Sequence, residues 1–369
     1  MDVDLRPLQR ALKELGFTSP LRTEDTRYVP RQDALGRQLL NRLRAPTAPT
    51  LLLGGPAGCG KSTELLHIQS ELQQDFAVFL CPCDRDLDLY RLKEITLYRY
   101  VLWRVLSLCQ SNLAPALQLT KEIIAEIHTR IGTQEMRMER PYLFFSTEPV
   151  PEAGRDPDAL SQTLHRLLSE IGRFKPVLLL LDGLEKVPAS TFSEAVAPFA
   201  RSPALPSCQT MLVLPSWSLH GWESPAQWQN VEVVEIPIVT EGTFVRDVIV
   251  RRAGDILDPV ALHHLNFSHG GVVRDGLQLA ASAVRFALDE GVAKVTLSHA
   301  AKAVDEMRVT YKRIFSDDLD RARRFLNFVM INGELPPDPE WRTRMLASGA
   351  VLLKPGGTFF VHPVALGLV

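Results

Sequence analysis

Residues 51–63 read LLLGGPAGCGKST, and a chain that contains them has little freedom in how it folds. Gly55, Gly60, Lys61 and Ser62 fit G-x-x-x-x-G-K-[ST], the pattern of a loop that wraps phosphate groups. Leu51, Leu52 and Leu53 form the short apolar run of a buried strand, and Ser62 to Gln74 carries helical spacing. Glycines between them let the backbone curl until successive N–H groups point inward. The positive end of the following helix then faces the same anion. The run Gly55, Pro56, Ala57, Gly58, Cys59, Gly60, Lys61, Ser62 and Thr63 is therefore the expected cradle for a nucleotide's phosphates. Lys61 is expected to reach the β- and γ-phosphates, and the Ser62 hydroxyl to ligate Mg2+. A chance glycine-rich turn would not bring a strand before it and a helix after it. Oxidation of Cys59 would block such a cradle, although a small space-filling side chain is the plainer reading of a cysteine there.

Such a loop needs an acidic partner for the metal. Residues 177–182 read VLLLLD. Five apolar residues ending in an aspartate describe a strand buried on both faces, with Asp182 emerging at its C-terminal tip. Its carboxylate is the expected second metal group, acting through water. Taken alone, Asp182-Gly183 is equally a turn after a core strand; the phosphate loop upstream decides for the metal role. Gly183 holds the next position, and Glu185 is the nearest further carboxylate. Glu185 is either the base that activates water or a solvated loop residue paired with Lys186.

Composition narrows the rest. The chain has 369 residues, enough for two or three domains, and is 46% hydrophobic. Its net charge of -2 gives no global pull towards nucleic acid or anionic lipid. Five cysteines, Cys59, Cys81, Cys83, Cys109 and Cys208, fit no zinc module by spacing, and a reduced, cytoplasmic protein is the expectation. The N-terminal stretch is charged and amphipathic, unlike a signal peptide. The most hydrophobic helix expected, residues 92–109, carries Lys93, Glu94, Arg99 and Arg104, so a membrane span is not expected.

Along the chain, helices are expected at 4–16 and, from near Asp33, up to 43, with APTAPT at 45–50 as a link. Strand and helix periods then alternate: strands at 51–55, 76–81, 177–182, 210–215 and 231–238, with helices at 61–74, 92–109, 116–131, 158–172 and 190–200 between them. That alternation predicts an α/β fold, a parallel sheet flanked by helices with the ligand at the strand C-terminal ends. Beyond Thr240 the pattern is helical, at 241–253, 258–266, 271–290, 297–314, 317–332 and 339–348. A hairpin around Pro355-Gly356-Gly357 follows. Helix, helix and hairpin predict a winged helix. The expected division is 1–50, an ATPase core at 51–239, a helical lid at 240–314 and the winged helix at 315–369.

This order of parts resembles the AAA+ P-loop ATPases, in particular their origin-recognition-like branch and the neighbouring STAND-type switch ATPases. Tyr28, Val29 and Arg31 in RYVPRQDAL look like the element that packs beside adenine. The run Ser268-His269-Gly270-Gly271-Val272-Val273-Arg274-Asp275 looks like the sensor-2 motif. There an arginine of the lid reports the γ-phosphate, and the glycines would let the backbone approach the nucleotide. The KSTEL run from Lys61 to Leu65 also fits such ATPases. Two departures stand out. Pro215-Ser216 occupies the sensor-1 position, leaving the Ser216 hydroxyl to position water. No arginine lies between Ser216 and the strand at 231, so an arginine finger is not supported; Arg201 is the closest substitute. The resemblance implies an ATP-binding, slowly hydrolysing switch that needs Mg2+ and signals its nucleotide state to a protein partner or another copy of itself. A DNA-binding loader and a non-hydrolysing nucleotide scaffold are the alternatives. DNA contact is the lesser reading because Arg321, Arg323, Arg324, Arg342, Arg344 and Lys354 are balanced by Asp317, Asp318, Asp320, Asp338 and Glu340.

Overall fold

The computed structural model describes the chain apart from residues 1–3, 17–18, 32–34, 46–49, 113–118, 133–140, 143–144, 146–148, 202–207, 221–227, 237 and 240–242. The expected helix start near Asp33, most of the link before the first strand, the beginning of the helix expected at 116–131 and the Thr240 boundary lie outside the described residues.

Five strands make one parallel sheet: β1 Thr50–Gly54, β2 Ala77–Pro82, β3 Val177–Asp182, β4 Cys208–Val213 and β5 Val231–Glu235, in the order β2-β3-β4-β1-β5. β1 and β3 are buried along their whole length, as runs of leucine with no polar alternation require. β4 lies between them, in register with Leu51–Leu53 on one side and Val177–Leu181 on the other. Two strand spacings, about 10 Å, therefore separate the loop after β1 from the tip of β3. The strand expected at 231–238 ends at Glu235, although Ile236 and Ile238 remain buried beyond it.

Alternation of side chains splits the core into two layers. Leu51, Leu53, Leu178, Leu180, Met211 and Val213 face α2 (Leu35–Leu43) and α3 (Lys61–Leu72). Leu52, Phe79, Leu179, Leu181 and Leu212 face the other way. They meet α4 (Cys83–Asp86), α5 (Glu94–Asn112), α6 (Lys121–Ile131) and α7 (Pro157–Gly172). The segment expected as one helix at 190–200 is an irregular run with a π-helical stretch at Phe192–Val196. A short α8, Ser216–Leu219, follows β4.

A second core is built mostly from helices. It joins α9 (Phe244–Ala253), α10 (Pro259–Ser268), α11 (Val273–Asp289), α12 (Leu297–Ile314), α13 (Leu319–Asn332) and α14 (Pro339–Ser348) to the antiparallel hairpin β6 (Val351–Leu353) and β7 (Phe359–Val361). The N-terminal α1, Arg6–Glu14, packs into this core through Leu8 and Leu15, against α9 and α11. Local chemistry sets the helix limits: Asp258, Asp318 and Asp338 cap helix starts through their side chains. Gly333 and Gly349 end α13 and α14 in the left-handed conformation.

Among the described residues, no helix is long and apolar enough to cross a membrane. All five cysteines are buried and unpaired, which makes Cys81 and Cys83 packing residues. Leu180 sits at the centre of β3 with no exposed surface. Leu180→Ala is expected to destabilise the chain by about 2–5 kcal/mol, read as a shifted denaturant midpoint.

Candidate nucleotide site

The loop between β1 and α3 forms the cradle that its sequence requires. Gly55, Gly58 and Gly60 take positive φ angles of 133°, 87° and 102°. A Cβ built on Gly60 would meet no atom within 4 Å, so that side of the loop opens onto empty space. Lys61 is buried, and its ammonium donates to the Gly55 and Pro56 carbonyls, each at 2.8 Å. The Ser62 hydroxyl donates to Asp182 Oδ1 at 2.9 Å. These hard oxygens at a helix N-terminus suit Mg2+, and the cradle's inward N–H groups suit a polyphosphate.

Carboxylates crowd the tip of β3. Burial pushes the Asp182 carboxyl up to about 6, and the negative charge of Glu185 adds to it. Ser62 and the Gly183 N–H pull it back, while Asp84 raises it further. Glu185 Oε2 is buried with no hydrogen-bond partner. Lys186 does not pair with Glu185: its ammonium contacts Asp84 Oδ2, on α4. Sequence reading missed Asp84, although one signal was present. Asp84 lies just past the end of β2, and Pro82 is in register with Asp182 on the neighbouring strand.

The helical region closes the cleft from above. The Arg274 N–H donates to the Gly58 carbonyl at 3.1 Å. A Cβ on Gly58 would come within 2.3 Å of the Arg274 Cβ, so only glycine permits this approach. The resulting cleft, about 290 Å3, is lined by Lys61, Ser62, Asp84, Asp182 and Glu185 from the sheet side. Arg252 and Arg274 line it from the helical region, and Ser19, Pro20 and Leu21 complete the wall. Arg252 has no motif to betray it. Its guanidinium donates to the Gly16 carbonyl at 3.2 Å. A smaller adjoining cavity, about 60 Å3, is lined by Tyr28, Val29, Arg31, Cys59, Phe244 and Val248. Arg31 donates to the Cys59 carbonyl at 3.2 Å and stacks over Phe244 at 5.7 Å.

Three further sequence-derived positions have the following surroundings. Ser216 begins α8 and lines a cleft with Pro56 of the phosphate loop, His220, Glu235, Leu352 and Phe359; its hydroxyl is buried without a partner. Gly270 and Gly271 approach protein: a Cβ on the first would strike His362, and on the second the Val239 carbonyl. Arg201 lies over the Trp228 ring at 4.5 Å.

The family model for the AAA ATPase domain matches residues 30–213. The chain belongs to the AAA+ P-loop ATPases. Among solved structures, a Walker-type ATPase of Pyrococcus abyssi is 14% identical, covers 96% of this chain and 99% of its own, and has a TM-score of 0.51. The Aeropyrum pernix ORC2 protein is 15% identical over 98% of this chain and 97% of its own, with a TM-score of 0.43. The Thermotoga maritima RuvB Holliday junction branch migration motor is 14% identical over 88% of this chain and 90% of its own, with a TM-score of 0.40. No curated protein matches the chain. The parallel sheet with flanking helices and a C-terminal helical region is thus the AAA+ P-loop architecture.

In this AAA+ protein the Lys61 ammonium is a cation buried inside the phosphate loop. Lys61→Ala is expected to leave circular dichroism unchanged and to weaken ATP binding by about ten- to a hundredfold, since charge-assisted bonds contribute roughly 1.5–3 kcal/mol. Calorimetry showing wild-type affinity would remove the assignment.

The sensor-like loop carries its own pH dependence. His269 is buried; burial first, then the neighbouring His362, lower its pKa to about 4, with Asp275 opposing. Its Nδ1 accepts from the Gly271 N–H at 2.9 Å, and Nε2 lies 3.2 Å from Asn266 Oδ1, which fixes the neutral ring. The unfolded chain binds a proton near pH 6.5 and the folded chain only near 4. Stability is therefore complete above about 6.5 and falls as pH drops towards 4, by about 3 kcal/mol in all. Unfolding midpoints of wild type and His269→Gln are expected to converge over that window.

Proposed function

We propose that this AAA+ protein is an ATP-driven conformational switch with slow turnover, in which the lid reports the γ-phosphate and the C-terminal unit passes that state to a protein partner or a second copy. The observation that carries this reading is a continuous set of contacts from the phosphate loop to the C-terminal hairpin. Gly58 bonds the Arg274 amide, and Asp275, the next residue, has its Oδ2 3.2 Å from Nε2 of the fully buried His362. Pro56, also in the loop, shares a cleft with Leu352, Leu353 and Phe359. The His220 ring meets Phe359 edge-on at 5.1 Å while its Nε2 holds Glu235. The loop that cradles phosphate is thus gripped by the same hairpin at two points.

In this reading the loop amides and Lys61 bind the triphosphate. Ser62 and Asp182 hold Mg2+, which neutralises charge on the phosphates when bound. Tyr28, Val29 and Arg31 flank the base, and Arg274 contacts the γ-phosphate. Glu185 orients the attacking water through its unpartnered oxygen. The proposed units are the sheet core, the helical lid from about residue 240 and a winged helix from about 315.

Its basic residues favour a protein partner over DNA, because internal contacts already engage them. Arg342 donates to the Leu335 and Pro336 carbonyls, Arg344 contacts Asp317, Arg321 pairs with Asp338, and Arg323 donates to the Leu368 carbonyl. In addition, α14 packs on α8 of the sheet core, which covers one face of that helix.

A lid closed by Arg274 should prefer ATP to ADP, and only by what that contact contributes. The expected preference is about ten- to a hundredfold. Arg274→Ala should keep ADP affinity and lose the preference. Hydrogen exchange over residues 317–369 should differ between ATP-analogue and ADP states in wild type and not in Arg274→Ala. Identical exchange in both wild-type states would leave a nucleotide scaffold instead of a switch.

A further inference from the structure

We propose that Asp84 is a positioning residue for hydrolysis, holding the turn that carries Glu185 through its contact with Lys186. The inference rests on Glu185 as the water-orienting carboxylate and adds the device that aims it. Three observations support it.

The first is steric. Gly183 follows Asp182 directly, with a φ of 84°. A Cβ there would lie 2.6 Å from the Cβ, Cγ and Oδ1 of Asp84. The Asp84 side chain therefore fills the space in which a side chain at 183 would begin, and the water-orienting group must come from further along the turn. The second is the turn itself. Leu184–Lys186 is one short 3-10 turn, with the Lys186 N–H donating to the Gly183 carbonyl at 3.3 Å. Leu184 and Val187 are buried and fix its path, but neither fixes the rotation of Glu185 between them. The Asp84–Lys186 contact supplies that missing restraint on the residue next to Glu185.

The third is the rigidity of the platform. Asp84 sits on α4, whose Cys83 has no exposed surface. The Asp86 carboxylate on the same helix accepts from the Tyr100 hydroxyl at 2.8 Å. α4 is thus anchored to α5 and to the end of β2, and it offers a fixed point from which to hold a turn on β3. An exposed ion pair of this kind contributes little to global stability, typically under about 1 kcal/mol. Its consequence is for alignment, where a displacement of about 1 Å can lower a rate by around a hundredfold.

The test is single-turnover phosphate release, with Mg-ATP affinity measured alongside. Asp84→Asn and Lys186→Ala are each expected to slow release at saturating Mg-ATP about ten- to a hundredfold, with Mg-ATP affinity kept within about twofold in Lys186→Ala. Lys186→Arg should restore the rate. In a Glu185→Gln background, neither Asp84→Asn nor Lys186→Ala should slow it further. Amide exchange over 183–187 should quicken in both single variants. An Asp84→Asn protein that releases phosphate at the full rate overturns the inference alone. So does a further loss in the Glu185→Gln background, which would make Asp84 act on its own. A wild type that binds Mg-ATP and never releases phosphate overturns the hydrolysis reading, and this inference with it.

Discussion

The hydrogen bond from the Arg274 amide to the Gly58 carbonyl is the contact on which the nucleotide cleft depends. The sheet and the helical region bury largely separate cores, joined by Ile238, Val272 and Leu352. Their meeting at the phosphate loop is a backbone contact that tolerates no side chain at position 58. In the proposed switch, a backbone carbonyl of the loop is the acceptor, so a change in the loop's path would act on the Arg274 amide directly.

Burial of charge is the second constraint. Asp182 is placed where desolvation and two neighbouring carboxylates all resist its ionisation, and it reaches about 6. That arrangement is unfavourable for the protein alone, and in the proposed function a divalent cation held by Ser62 and Asp182 would relieve it. The unpartnered Glu185 oxygen belongs to the same tip, and a buried acceptor left without a donor is the kind of local cost that a working site carries.

Where signals were local, the sequence was legible. Val177–Asp182, Leu297–Ile314 and Pro339–Ser348 have the limits that their patterns predict, because an unbroken apolar run, an Asp338 cap and a Gly349 stop act within a few residues. The strand, glycine-bearing loop and helix of the cradle were legible for the same reason, and the fold brings Ser62 to 2.9 Å from Asp182. What was not legible lies in pairings across the fold. Lys186 neighbours Glu185 in sequence, yet its partner is Asp84, and only the parallel register of β2 and β3 brings the two together. Glycines before Arg274 look made for a nucleotide, and they make room instead for His362 and the Val239 carbonyl. No periodicity reports such an approach. The position of α1 among the lid helices is of the same kind, since an amphipathic pattern shows that a face is buried and not against what.

The hairpin's grip on the phosphate loop also bears on how the protein is made. Pro56 and the Leu352–Phe359 segment that shares its cleft stand roughly 300 positions apart, the sort of non-local contact that forms slowly. A ribosome must complete the whole interval before the hairpin can seat, while the sheet that carries the cradle can assemble well before that. During synthesis the chain therefore passes through a stage in which the cradle exists and its closure does not. A nascent chain at that stage would present the open cradle to the cell before the hairpin can seat against Pro56.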